Sequence, residues 1–244
     1  MILELLFIFI IVAVGSYIQS VSGFGFGLIA MSLLPFLFHL LDSTLLIMSL
    51  TIVLTLRILM RFYPYIEFNR LSVILISAII GRIGGFFILT HFGELPILKK
   101  WLGVVLLLLV VYLWFNKKPS QGERKVATIF TICLGLVGGL IGGVFAVGGP
   151  FFVFYFLTIY EDKLKYTANL QAVFFITSLL TVVSHGINGD FHSSFMLYFL
   201  TGFVAVLIGS GIGVRSFTKW KAEKIRILAM VIVAISAINL LLFS

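Results

Sequence analysis

Two glycine-rich runs and one arginine hold the residues of this chain whose types and spacing suit chemistry. Ser22-Gly23-Phe24-Gly25-Phe26-Gly27 and Gly142-Gly143-Val144-Phe145-Ala146-Val147-Gly148-Gly149-Pro150 interrupt long apolar stretches at matching points of the two halves. A helix that restarts after such a break carries unpaired N–H groups and a partial positive dipole end, and the two together bind an anion. Gly23, Gly25, Gly27, Gly148 and Gly149 let backbone come close to a ligand. Pro150 suits a first helical turn, where its missing N–H loses nothing. Gln19, Ser20 and Ser22 add neutral donors beside the first break. Glycine in membrane helices also serves close packing, the role assigned to Gly135, Gly138, Gly139, Gly202 and Gly209. At the two breaks a binding site is favoured, because they recur in both halves and one ends in Gly-Gly-Pro.

Arg82 is the second candidate. It lies roughly 18 Å into an apolar block at ~1.5 Å per residue, too deep to reach the nearer membrane face easily. A cation at that depth is functional by default, and its planar fork matches the oxygens of a sulfonate or carboxylate. The competing role is a structural one, capping the carbonyls of a broken helix. Arg57, nearer a loop, is expected to snorkel. Asn169 and Gln171, followed by Thr177, Ser178, Thr181 and Ser184, form a polar stripe suited to a substrate pathway or to back-bonding within its own helix.

The elements that must position these residues are membrane spans. The 244 residues are 61% hydrophobic and 11% charged, with a mean hydropathy of +1.21, far too little polar surface for a soluble globule. Eight apolar blocks run over 2–38, 43–62, 71–91, 96–115, 126–160, 167–184, 194–214 and 225–243. The polar run from Asn116 to Lys125 lies at the centre, so the chain divides into a first membrane repeat (1–118), a basic cytoplasmic linker (119–125) and a second membrane repeat (126–244). Each half opens on a long, glycine-interrupted block. The third block of each carries small residues: Gly81, Gly84 and Gly85, then Gly209, Gly211 and Gly213.

Charge decides how the long blocks run. If all eight blocks cross once, nine Lys/Arg fall on one side and seven on the other, which is no bias. If blocks one and five are hairpins that return to their starting side, the division is fourteen to two, and the seventeenth cation is Arg82. The positive-inside rule selects the hairpins. Each half then makes an odd number of crossings, so the expected fold is all-α and polytopic, two inverted repeats of a re-entrant hairpin plus three spans, with both termini outside. The arm from Pro150 to Tyr160 is only about 16 Å long, half of a ~30 Å hydrocarbon core, which favours hairpins that turn at the midplane.

The Gly-Phe-Gly-Phe-Gly element followed by Pro35, the Gly-Gly-Pro element followed by Phe151-Phe152-Val153-Phe154-Tyr155, and the two four-block halves joined by a basic loop resemble the toluene sulfonate uptake permease family, also called the sulfite exporter TauE/SafE family. The resemblance covers essentially the whole chain. It implies secondary transport of a sulfur oxyanion or organosulfonate, such as sulfite or sulfoacetate, across the cytoplasmic membrane of a prokaryote. Phe24 and Phe26 alternate with glycine where the family is more glycine-dense, which leans toward an organic anion.

Other chemistries find no support in the pattern. There is no phosphate-binding Gly-Lys loop and no HExxH, and Cys133 stands alone, so no cofactor, metal or hydrolytic activity is expected and the chain reads as a non-enzyme. His185 to Asp190 resembles an acyltransferase spacing, but a turn between spans produces it easily. The net charge of +8 is spread over loops, where it sets orientation, and no nucleic-acid partner is expected. Every Asp and Glu lies near a block end, leaving no buried-carboxylate proton relay. An anion channel built on the same glycines and Arg82 is the rival to a carrier.

Overall fold

A computed structural model describes residues 2–115, 126–216 and 222–243, all helical apart from short turns. The helices are α1 (Ile2–Ser22), α2 (Phe26–Leu33), α3 (Leu40–Phe62), α4 (Phe68–Phe92), α5 (Pro96–Phe115), α6 (Thr128–Phe145), α7 (Gly149–Ile159), α8 (Lys163–Asn188), α9 (Phe195–Ser216) and α10 (Ala222–Phe243). Among the described residues α1, α3, α4, α6, α8 and α9 are long and apolar enough to cross a bilayer. The chain is a multi-pass membrane protein. The linker 119–125 lies outside the described residues.

Both long blocks are broken where glycine permits it. After α1 the chain passes through Gly23 and Gly25 at φ of 87° and 114°, values that cost an L-side chain dearly and glycine little. After α6 the left-handed position is Ala146, at φ 55°, and α7 begins with proline in its first turn. The restarted helices are short. Phe26–Phe36, which adds a 3-10 turn to α2, and Gly149–Ile159 each have eleven residues, about 16 Å at ~1.5 Å per residue and half a hydrocarbon core.

The two arms of each break are not level. Gly15 packs against Phe26, where a Cβ would meet the ring at 2.9 Å, so α2 starts beside the middle of α1 and α1 runs on past it to Ser22. Likewise Gly148 packs on the Gly138 carbonyl and on Gly142, before the end of α6 at Phe145. Each break is therefore a long outgoing helix that overshoots, a doubling back, and a short helix that starts partway along it.

Packing pairs the halves in a regular way. α4 lies along α6, and α9 lies along α1; α3 touches α9 while α8 touches α4; α3 and α8 pair with each other, as do α5 and α10. Glycine makes the two longest contacts possible by backbone approach. Cβ atoms at Gly81 and Gly139 would overlap the carbonyls of Leu136 and Ala78, and one at Gly209 would overlap that of Ala13. The opposite face of α4 presents Ile76, Ile80, Ile83 and Phe87 outward, a stripe at helical spacing that suits lipid. Arg82 is on the inward face.

Cations close the far ends of the short helices. Lys99 Nζ donates to the Pro35 carbonyl at 2.7 Å, and Arg70 donates to that of Ile159 at 3.3 Å. Each compensates the negative end of a helix whose positive end points inward.

Candidate anion-binding site

The two breaks and Arg82 meet. Gly27 sits against the Ala146 carbonyl so closely that a Cβ would overlap it, which brings the start of α2 onto the end of α6. A cavity with about 30 Å³ of free volume is bounded by Gln19, Gly25, Gly27 and Leu28 from the first break, by Ala146, Val147, Gly148, Gly149 and Pro150 from the second, and by Arg82. Phe24, Met48, Thr51, Phe152, Phe174 and Ser178 complete the wall. The first turns of α2 and α7 thus direct two helix N-termini at one small space.

Arg82 is 4% exposed. Its NH1 group donates to Thr181 Oγ1 at 2.9 Å and approaches Met48 Sδ at 3.3 Å, and NH2 reaches Thr177 Oγ1 at 3.4 Å. Nε is buried with no hydrogen-bond partner. Among the described residues no carboxylate pairs with it. Threonine hydroxyls four residues apart on α8 are weak neutral acceptors, and each also donates to its own helix, Thr177 to Val173 and Thr181 to Thr177. A buried cation without an opposite charge is costly by several kcal/mol, on the order of the desolvation penalty of one ion. Two positive dipole ends beside it add to the cost. An anion in the cavity would offset all three.

The family model of the sulfite exporter TauE/SafE family matches residues 7–240. The chain belongs to that family. No curated protein and no solved structure matches it. The TauE/SafE family is one of membrane transporters for sulfur compounds.

The remaining candidates of this TauE/SafE protein are distributed around the cavity. Gln171 does not line it; its Nε2 donates to the Gly23 carbonyl at 2.7 Å, and its Oε1 accepts from Gln19 Nε2 at 3.2 Å. Gly23, Ser20 and Gln171 instead line a larger space of about 520 Å³ toward the ends of α3 and α9. Ser20 and Ser22 donate to the carbonyls of Ser16 and Ile18 one turn back, and Ser22 also donates to Phe24. Arg57 does not snorkel: it donates to the Leu207 carbonyl at 2.7 Å and to Ser210 at 2.9 Å, tying α3 to α9. Met48 and Thr51, which nothing in the sequence pattern singles out, line the cavity, and Thr44 stands behind it. Thr44 donates to the Val144 carbonyl at 3.1 Å, matching from the first half what Gln171 does for Gly23 from the second. The His185–Asp190 pair, 2.5 Å apart, closes the turn after α8 at Gly189.

Asn169 lies away from the cavity. It accepts from the Glu67 N–H at 2.9 Å and donates to the carbonyls of Tyr65 and Lys165, so it clasps the α3–α4 turn to α8. The Lys165 ammonium, 2.6 Å from Glu67, holds that carboxyl below its usual range. With a lowered folded value, this contact contributes fully above the ordinary carboxylate range and is lost as pH falls through the folded value. Asn169→Ala leaves the Glu67 N–H and the Tyr65 carbonyl without their partner. It is expected to lower stability by about 1–3 kcal/mol, seen as a lower melting temperature in detergent, with anion affinity unchanged. Weakened binding at full stability would return Asn169 to the site.

Proposed function

We propose that the protein is a secondary carrier for a small anion, a sulfur oxyanion or organosulfonate such as sulfite or sulfoacetate, bound between the N-termini of α2 and α7 and held by Arg82. The observation that carries this reading is the buried guanidinium, paired with no carboxylate among the described residues, with an idle Nε at the edge of a cavity framed by both breaks. The free volume of about 30 Å³ suits two or three water-sized groups at ~10–15 Å³ each, so the smallest oxyanions of the class fit this state best. Phe26 is turned away onto Gly15 and leaves Phe24 as the aromatic of the first break at the wall.

The regular exchange of partners between halves supports an inverted repeat, and the short α2 and α7 support arms that return from partway across the membrane. On this reading the basic ends of α3, α8 and α9 face the cytoplasm of a prokaryotic cell and both termini lie outside. In a Cys133→Ala background, cysteines placed at Ser120 in the linker and at Lys163 are both expected to label only from the cytoplasmic side. Labelling from opposite sides would mean that the fifth block crosses once.

Carrier and channel separate in liposomes. Purified protein is expected to exchange labelled sulfite against unlabelled sulfite with saturation and without anion conductance. Conductance proportional to concentration would make it a channel; no movement of any sulfur anion tested would remove the substrate class.

A further inference from the structure

Gln19 borders both spaces: the small cavity at the two breaks and the larger one of about 520 Å³. The larger space is lined at its outer end by Arg61 and Arg215, both exposed and neither in an ion pair among the described residues, and at its inner end by Gln171 and Gly23. It is a vestibule with a positive mouth, and its floor is the partition from the anion cavity. Gln19 and Gln171 are 3% and 0% exposed and make that floor with a directed chain of hydrogen bonds. Gln171 donates to Gly23, Gln19 donates to Gln171, and Phe26 N–H donates to Gln19 Oε1 at 3.3 Å.

We propose that the Gln19–Gln171 bridge is the gate between this basic vestibule and the anion cavity. The inference rests on the anion-site reading above. Phe26 N–H is the first amide of α2, one of the groups a bound anion needs. In the closed bridge Gln19 Oε1 occupies it, so an incoming anion and the closed gate compete for one donor. An anion that takes the Phe26 N–H releases Gln19 from it, and Gln19 then swings on the single contact left to Gln171. The partners are neutral amides and exchange without stranding a charge. The vestibule arginines raise the local anion concentration in front of the gate.

The test uses the full chain in a Cys133→Ala background. Ser178→Cys reports on the inner cavity and Thr167→Cys on the vestibule, each labelled in inside-out and right-side-out vesicles with the impermeant anion 2-sulfonatoethyl methanethiosulfonate. With the bridge intact, the vestibule thiol is expected to react from the face of the basic ends and the cavity thiol at least tenfold more slowly. Gln171→Ala, and independently the isosteric Gln19→Met, are expected to raise the rate of the cavity thiol at least tenfold while leaving that of the vestibule thiol unchanged, which also shows that each variant is folded. Equal rates for the two thiols with the bridge intact would overturn the gate. So would a rate at the cavity thiol that neither variant changes. No transport enters this measurement, so the anion-site reading, which fails if Arg82→Ala protein still transports, is judged separately.

Discussion

Arg82→Met is expected to abolish anion transport and at the same time to raise the melting temperature of the anion-free protein. The two effects come from one cause. Removing one partner of a buried charge interaction costs about 2–5 kcal/mol of binding, which is roughly thirty-fold to several-thousand-fold in affinity at ~1.4 kcal/mol per decade. Without the anion the guanidinium is an uncompensated charge, and replacing such a group by an apolar side chain of similar length is often neutral or stabilising by about 1–4 kcal/mol. Thr177 and Thr181 lose little, because both hydroxyls already donate within α8. Arg82→Lys keeps the charge, loses the fork, and is expected to retain partial transport. Two melting curves per variant, with and without sulfite, together with uptake into liposomes, check the pair of effects. A variant that transports normally would remove the counter-ion role; one that melts lower without anion would make Arg82 a structural residue.

Gly27→Ala is expected to cost transport more than tenfold, whereas Gly149→Ala keeps it within about twofold. A Cβ at Gly27 would overlap the Ala146 carbonyl, so the two breaks must part for a single methyl group. Backbone is the obstacle, and forced overpacking of this kind costs about 1–3 kcal/mol or more. A Cβ at Gly149 would stand 3.4 Å from the Phe174 ring, an ordinary contact. The tight glycine of the second break is Gly148, whose Cβ would overlap the Gly138 carbonyl. Gly202→Ala presses only on the end of the Leu50 side chain, at 2.5 Å, and is expected to be nearly silent. Uptake normalised to folded protein in detergent decides among them. Equal activity at Gly27 and Gly202 would reduce both to packing.

The breaks were legible because glycine is the residue that a positive φ demands, and Gly23 and Gly25 adopt one. Ala146 was not, since an L-residue at φ 55° announces nothing in sequence. Arg82 was legible through its depth alone. Met48, Thr51 and Thr44 were hidden, because a methionine and two threonines on an apolar helix look alike whether they face lipid, core or cavity, and only the pairing of α3 with α8 chooses. Asn169 and Gln171 show the limit of reading a polar stripe. Residues two apart on a helix point to different faces, and one clasps a turn while the other holds Gly23. The overshoot of α1 and α6 past their short partners rests on the contacts of Gly15 and Gly148, which depend on where the chain returns rather than on any local pattern.

The bond from Gln171 to the Gly23 carbonyl spans 148 residues of chain, and that separation sets an order of assembly. At a ribosomal rate of about 5–20 residues per second, the first break enters the membrane roughly 7–30 s before the side chain that completes it has been synthesised. Through that interval the Gly23 carbonyl lacks the side-chain donor that meets it in the folded chain. The reverse bond carries no such delay: Thr44 is already in place when Val144 emerges. The first break therefore waits on a donor from the second half, while the second break meets a donor that has already been made.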